Sequence, residues 1–262
     1  MLLVFAYPLF EAFWRSFSHP TVGLQNYEWF FTAPQNMDIL LRTLGIAAAV
    51  TGITLLLGYP YAYLMTISGP RVRTVLTVLV MVPFWTSLMV RTFAWIILLQ
   101  DGGVIKSFLD PMGLGGVQLL RNEVGILIGM SQVLLPFMVL PLANSMAAVD
   151  QRLHQAALSL GARPATAFFR IFVPLAMPGV IAGSLLVFIQ SLGFYITPAL
   201  LGSPQQMMIS QYIYNQVNQQ LAWGRGSTLG MVLLAATVVL LLLMGLAMRM
   251  GARRTGKKAQ LL

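Results

Sequence analysis

Cysteine is absent from the 262 residues, which excludes a disulfide framework, a thiolate metal site and a cysteine nucleophile. Charge is scarce as well. Asp, Glu, Lys and Arg make up 9% of the chain, where a water-soluble domain of this size carries roughly a quarter. Acidic residues number seven and histidines two. His19 and His154 have no second His, Cys or carboxylate at ligand spacing, so a metal site or a nucleophilic triad lacks its parts. No catalytic residue, metal ligand or cofactor can be assigned to this chain.

Apolar residues take up 58% of the sequence, and the mean hydropathy is +0.79. Residues 43–69, 124–149 and 227–248 are free of charge. Each run meets the roughly 20 residues that a helix needs to cross about 30 Å of hydrocarbon. Lipid offers backbone groups no partner, so such segments must be helices unless they close a barrel. The expected fold class is therefore an all-α integral membrane protein with six transmembrane helices, near residues 1–17, 39–67, 74–99, 124–149, 178–201 and 227–248. The first is read as a retained span, since neither a basic n-region nor a small-residue cleavage site of a signal peptide is visible. The chain reads as one transmembrane domain, 1–262, with a structured loop at 150–177 and a basic tail at 249–262.

A net charge of +9 and a pI near 10.4 invite a nucleic-acid reading. The basic residues, however, sit at the ends of apolar segments and form no basic domain, so nucleic acid is excluded as a partner. They orient the chain instead, because short cytoplasmic loops carry the excess of Lys and Arg. With the amino terminus inside, ten fall on the cytoplasmic side (Arg71, Arg73, Arg152, Arg163, Arg170, Arg249, Arg253, Arg254, Lys257, Lys258) and five outside (Arg15, Arg42, Lys106, Arg121, Arg225). Both termini are thus expected in the cytoplasm. Gly251 to Lys258 nearly spells a phosphate-binding loop, but it ends in Lys instead of Ser or Thr and follows a membrane helix instead of a strand. It reads as a juxtamembrane tail that touches anionic lipid.

The loop 150–177 has the features of two short helices. Asp150 is placed to cap the first, Leu153, Ala156, Ala157 and Leu160 recur on one face, and Gly161 suits the left-handed residue that closes a helix. Pro164 fits the first turn of the second, which runs through Phe168, Phe169 and Phe172 until Pro174 interrupts it. Outside, residues 205–220 hold six Gln and two Asn, which reads as a solvated loop or a short helix whose amides bond a partner or solute.

Two further sets of residues are candidates for a solute pathway. Arg91 lies inside the third expected span, and ionisable groups at such depth face a bundle interior or a watery cavity; structural, gating, solute-contact and snorkelling roles remain open. Phe84, Trp85, Trp95, Phe194 and Tyr195, with Gln190 breaking the apolar run of the fifth span, can line a path and attract alkylammonium groups, or pack and face lipid. Six acids lie near or beyond outer span ends and Asp150 is cytoplasmic, which leaves no buried carboxylate for proton coupling.

The segment Gln155-Ala156-Ala157-Leu158-Ser159-Leu160-Gly161, nine residues, then Ile171-Phe172-Val173-Pro174 resembles the EAA loop of ABC importer permeases. That pattern is Glu-Ala-Ala, three residues, Gly, nine residues, Ile-x-Leu-Pro. Gln155 stands in place of Glu, which removes a charge, and Val173 in place of Leu. Residues 83–87 with 91–95, and 194–202, resemble the spermidine/putrescine-type branch. The resemblance implies an ATPase-coupling role for Gln155, Ala156, Ala157, Gly161, Phe168 and Phe169. As partners it implies two cytoplasmic ATPase subunits that bind ATP and Mg, a second permease subunit with a heterodimer favoured, and an extracytoplasmic solute-binding protein. It also implies a bacterial inner membrane location and import by alternating access, with polyamine as the first candidate solute. Opines, phosphonates, thiamine and iron complexes are alternatives within the branch. An independent six-span channel or secondary transporter, and a membrane scaffold, are the alternatives outside it.

Overall fold

The computed structural model describes residues 2–113 and 116–259, and every described element is helical. In chain order these are α1 Leu2–Ser18, α2 Gln25–Thr32, α3 Pro34–Ile67, α4 Pro70–Met81, α5 Leu88–Leu99, α6 Val104–Leu109 and α7 Glu123–Ala147. They are followed by α8 Gln151–Ser159, α9 Pro164–Ala167, α10 Val173–Leu192, α11 Ile196–Leu201, α12 Ile209–Tyr214 and α13 Trp223–Ala259.

Among the described residues, five stretches are long and apolar enough to cross a membrane: Pro34–Ile67, Leu88–Leu109, Glu123–Ala147, Pro164–Leu192 and Trp223–Leu243. The chain is an all-helical, multi-pass membrane protein. Three expected spans take a different form. The first is the helix α1, whose 17 residues give about 25 Å, less than the hydrocarbon thickness. The third, expected as one helix over 74–99, is divided: α4 ends at Met81, a 3₁₀ turn covers Val82–Trp85, and Thr86 and Ser87 are extended before α5. Pro83 contributes, since it has no N–H to give to the preceding turn; Val82 itself keeps helical dihedrals, and the chain becomes extended only at Thr86. The fifth ends at Leu192, and Gly193 to Tyr195 separate it from α11.

At the start of the fifth span, Pro174 does not interrupt the helix as expected. A π-turn over Phe168–Phe172 precedes it, with Val173 N–H bonded to the Phe168 carbonyl five residues back. The wider turn takes up the missing donor and the ring, so residues 164–192 form one long helical stretch.

The chain forms two compact units, Leu41–Met208 and a second made of Met1–Leu40 with Ile209–Leu262. In the first, α7 and α10 pack most intimately. Gly179 and Gly183 face α7 one turn apart: a Cβ on Gly179 would lie 2.4 Å from Ser145 Cβ, and one on Gly183 3.0 Å from the Met138 carbonyl oxygen. Lipid supplies no hydrophobic force between helices, and close backbone approach at small residues takes its place. Ser145 Oγ donates to the Ala176 carbonyl at 3.3 Å across the same seam. Met130, Leu134, Met138, Leu142 and Met146 continue the α7 side of a core in which each is buried.

In the second unit, Asn26 Nδ2 donates to the carbonyls of Ser16 (3.0 Å) and His19 (2.8 Å) and so ties α2 to the end of α1. Arg225 lies 4.8 Å from the Trp29 ring centroid, and His19, Asn26, Trp29 and Arg225 border a cavity of about 260 Å³. The expected polar loop is partly folded here: Ile209, Tyr212 and Gln216 are buried along α12 and the π-turn after it. Burial raises the Tyr212 hydroxyl above its ordinary range, opposed by Gln35, Gln216 and Arg225.

Candidate functional site

The loop between α7 and α10 is built from its caps. Asp150 accepts from the Arg152 N–H at 2.9 Å and opens α8, which satisfies one of the donors that a helix start leaves orphaned. At the other end Gly161 has φ +84°. Its N–H donates to the Leu158 carbonyl and that of Ala162 to the Ala157 carbonyl, both at 3.0 Å. This pair of bonds is the Schellman arrangement, and it requires the left-handed residue between them. Arg163 is then extended, Pro164 takes the first position of α9, and the chain passes into the π-turn and α10.

Gln155, Ala156 and Leu158 are exposed on α8, and Ala157 is half-buried. Leu160 is 89% exposed, an apolar side chain at the end of a solvent-facing helix. The structure therefore brings Gln155, Ala156, Ala157 and Gly161 onto one short, doubly capped element. The phenylalanines divide. Phe168 stacks on Phe172 (5.6 Å), and both meet Tyr63 edge-on at 5.2 and 5.3 Å, with Tyr59 against Phe168 at 6.4 Å. Phe169 is 67% exposed. Phe168 and Phe172 thus root the second loop helix against α3, while Phe169 faces outward.

Of the pathway candidates, Phe84, Trp85 and Arg91 lie at the break between α4 and α5, and Trp95 one turn further along α5. Arg91 is in the first turn of α5, beside the break and not deep within a continuous helix, and its Nη2 reaches the Thr86 carbonyl at 3.4 Å. Phe84 packs on Phe137 of α7 at 5.1 Å, and Trp95 Nε1 points to Gln132 Oε1 at 3.4 Å. Trp85 is 73% exposed and Gln190 is exposed on α10. Phe194 packs against the core cluster, and Tyr195 is half-buried immediately before α11. α11 docks on α5 through Thr92 and Thr197, whose hydroxyls are 3.4 Å apart, and on α7 where Gly129 leaves room for Leu201 and Thr197. Two interrupted helices therefore meet close to their breaks.

Gln132 belongs to this constellation too, but a lone amide in an apolar run carries no pattern in the sequence; Thr92 stands out there only as part of residues 91–95. An apolar groove of about 570 Å³ lies elsewhere in this unit, lined by Gly52, Leu55, Tyr59, Pro60, Val173 and Met177. Among the described residues no group of His, Asp and Glu could hold a metal.

Residues 55–257 match the family model described as "Binding-protein-dependent transport system inner membrane component". The chain is 33% identical over 251 residues to the spermidine/putrescine transport system permease protein PotB of Escherichia coli K12, covering 94% of this chain and 88% of that protein. It is 32% identical to the Haemophilus influenzae protein of the same name (83% and 77% covered). It is 34% identical to the inner membrane ABC transporter permease protein YdcU of E. coli K12 (89% and 77%). A crystal structure of a bacterial ABC transporter involved in the import of alginate aligns over 95% of this chain and 91% of its own, with TM-score 0.73 and 19% identity. The inward-facing MetNI methionine ABC transporter aligns at TM-score 0.55 with 16% identity, over 82% and 95%. These two likenesses concern the fold. The family is one of membrane components, so the chain is a transport subunit and not itself an ATPase. It belongs to the inner-membrane permease subunits of binding-protein-dependent ABC importers.

Proposed function

We propose that this chain is one permease half of an importer for a small polar solute, with a polyamine such as spermidine or putrescine as the first candidate, and that it moves the solute by alternating access. The observation that carries the coupling is the path from α8 to the membrane: a helix capped at both ends, one glycine turn, and then a single helical stretch over Pro164–Leu192. Only the four residues Leu160 to Arg163 separate α8 from this stretch, and Phe168 and Phe172 pack its start against Tyr63 of α3. Displacement of α8 by an ATPase on closing around ATP and Mg is thus carried into α10.

In this reading two ATPase subunits grip Gln155, Ala156, Ala157, Gly161 and Phe169 from the cytoplasm, and Phe168 anchors the transmission. A second permease subunit completes the pathway, and a solute-binding protein delivers from outside. Phe84, Trp85, Trp95, Gln132, Phe194 and Tyr195 offer aromatic faces and amide oxygens to an alkylammonium solute. The names of the PotB relatives support the polyamine. Both termini lie in the cytoplasm, in keeping with the ten-to-five distribution of basic residues.

The test is uptake into proteoliposomes that hold the complete transporter, with the binding protein and labelled spermidine outside and ATP inside. Uptake that stops when hydrolysis is blocked is expected. Uptake by this chain without any ATPase would replace the reading by a channel or secondary transporter. ATP-driven uptake of an opine, phosphonate, thiamine or iron complex but of no polyamine would overturn the solute alone.

A further inference from the structure

The start of α13 marks a membrane boundary on two counts. The stretch able to cross runs from Trp223 to Leu243, and its 21 residues reach about 31 Å, the thickness of the hydrocarbon. The backbone beside it is irregular at residues 19–24 and 220–222, with Val22, Leu24 and Leu221 exposed, and exposed irregular backbone does not occur within hydrocarbon. The first turn of α13 therefore stands at headgroup level, where tryptophan is enriched. Trp223 is there, with Arg15 over its ring at 5.4 Å, and so is the cavity bordered by His19, Asn26, Trp29, Leu221 and Arg225. Arg225 is exposed, its guanidinium 4.8 Å from the Trp29 ring centroid. Neither of the ion pairs among the described residues includes it: one holds Arg15 to Glu11, and Glu28, the acid of α2, is in none.

We infer that this cavity binds the headgroup phosphate of an anionic phospholipid, at the end of α13 away from its basic tail. A guanidinium presents a fork of donors that matches phosphate oxygens. The side chains of Gln25 and Asn26 add polar groups to the lining. Leu221 and Trp223, 67% and 43% exposed, offer apolar surface at the level where headgroup passes into acyl chain. A zwitterionic headgroup brings an ammonium that competes with Arg225 for the phosphate. An anionic one does not. The volume, about 260 Å³, is below the roughly 300–1,000 Å³ of sites that enclose a whole small molecule, and a lipid needs to place only its headgroup there. An acidic side chain of a solute-binding protein would meet the same arginine, but the cavity lies at the first turn of a membrane span, among side chains suited to the lipid boundary. The site needs only a membrane around α13, whatever solute the transporter carries.

The experiment places the full chain, with the subunits that co-purify with it, in vesicles of equal phosphatidylglycerol and phosphatidylethanolamine. Benzoylphenylalanine replaces Leu221, and the lipids captured on illumination are identified by mass. With Arg225 intact, phosphatidylglycerol should exceed phosphatidylethanolamine about fivefold among the adducts, the factor that one arginine near a membrane surface is worth. Arg225→Lys should keep most of that excess, and Arg225→Gln should bring the two lipids to parity. The same probe in place of Leu242, exposed on α13 well away from the cavity, should give one ratio in all three proteins. Parity at Leu221 with Arg225 intact would overturn the site, as would an excess that persists in Arg225→Gln. So would capture of an added solute-binding protein in place of lipid, which would make the cavity a docking point for that protein.

Discussion

Replacing Gly161 by valine tests the coupling path at its narrowest point. The residue sits at φ +84°, and a Cβ added there would meet no atom within 4 Å. The cost is therefore one of backbone conformation, not of packing. A non-glycine residue held in the left-handed region costs about 1–3 kcal/mol, and a β-branched one lies at the upper end. The two bonds that close α8, from the N–H groups of Gly161 and Ala162, contribute about 0.5–1.5 kcal/mol each. The penalty is thus comparable to everything that holds the turn, and the substitution is expected to open it and re-aim α8 relative to Pro164. The spans should still insert, because no membrane-embedded contact changes. Assays on the purified complex are ATPase retained per permease, ATP hydrolysis, and solute imported per ATP. Gly161→Val should lose the ATPase or hydrolyse ATP without import, Gly161→Ala should be intermediate, and Gly161→Asn, which tolerates the left-handed region, should remain close to wild type. Wild-type coupling in Gly161→Val would refute the reasoning and reduce the loop to a connector.

The natural absence of cysteine makes topology directly measurable: in intact cells Lys106→Cys should react with an impermeant maleimide and Lys257→Cys only after the membrane is opened, and the reverse would overturn the orientation. Tyr195→Ala should alter uptake kinetics while ATPase association is kept, and unchanged kinetics would assign Tyr195 to packing. Phe194 is the poorer probe, since it packs on the core and its truncation carries a cost of up to about 3–5 kcal/mol. Gly183→Leu should lower the yield of folded protein in detergent, because its Cβ would come 2.9 Å from Met138 Sδ and 3.0 Å from the Met138 carbonyl oxygen, an overpacking worth about 1–3 kcal/mol; normal yield and thermal stability would show that α7 and α10 can part freely.

Much of this protein is written locally in its sequence. Charge-free apolar runs specify helices in lipid without any tertiary information, because lipid leaves the backbone no other partner. The caps of the loop 150–177 were legible residue by residue, since a cap depends on near neighbours: Asp150 bonds two residues on, and Gly161 closes bonds within five residues. Hydropathy could not locate the interruptions at residues 82–87 and 193–195, because Pro83, Phe84, Trp85, Phe194 and Tyr195 count as apolar or aromatic whether the backbone around them is helical or extended. Nor could it foresee that a π-turn before Pro174 would carry the helix through. Tertiary structure alone decided which groups meet: Trp95 with Gln132, Thr92 with Thr197, and Gly179 and Gly183 in close approach to α7. Those pairs lie far apart in sequence, and only the packing of α5, α7, α10 and α11 brings them within hydrogen-bonding or van der Waals distance. The same packing separated Phe168 from Phe169, equal in composition and adjacent in the chain, by turning one into the core beside Tyr59 and Tyr63 and the other outward.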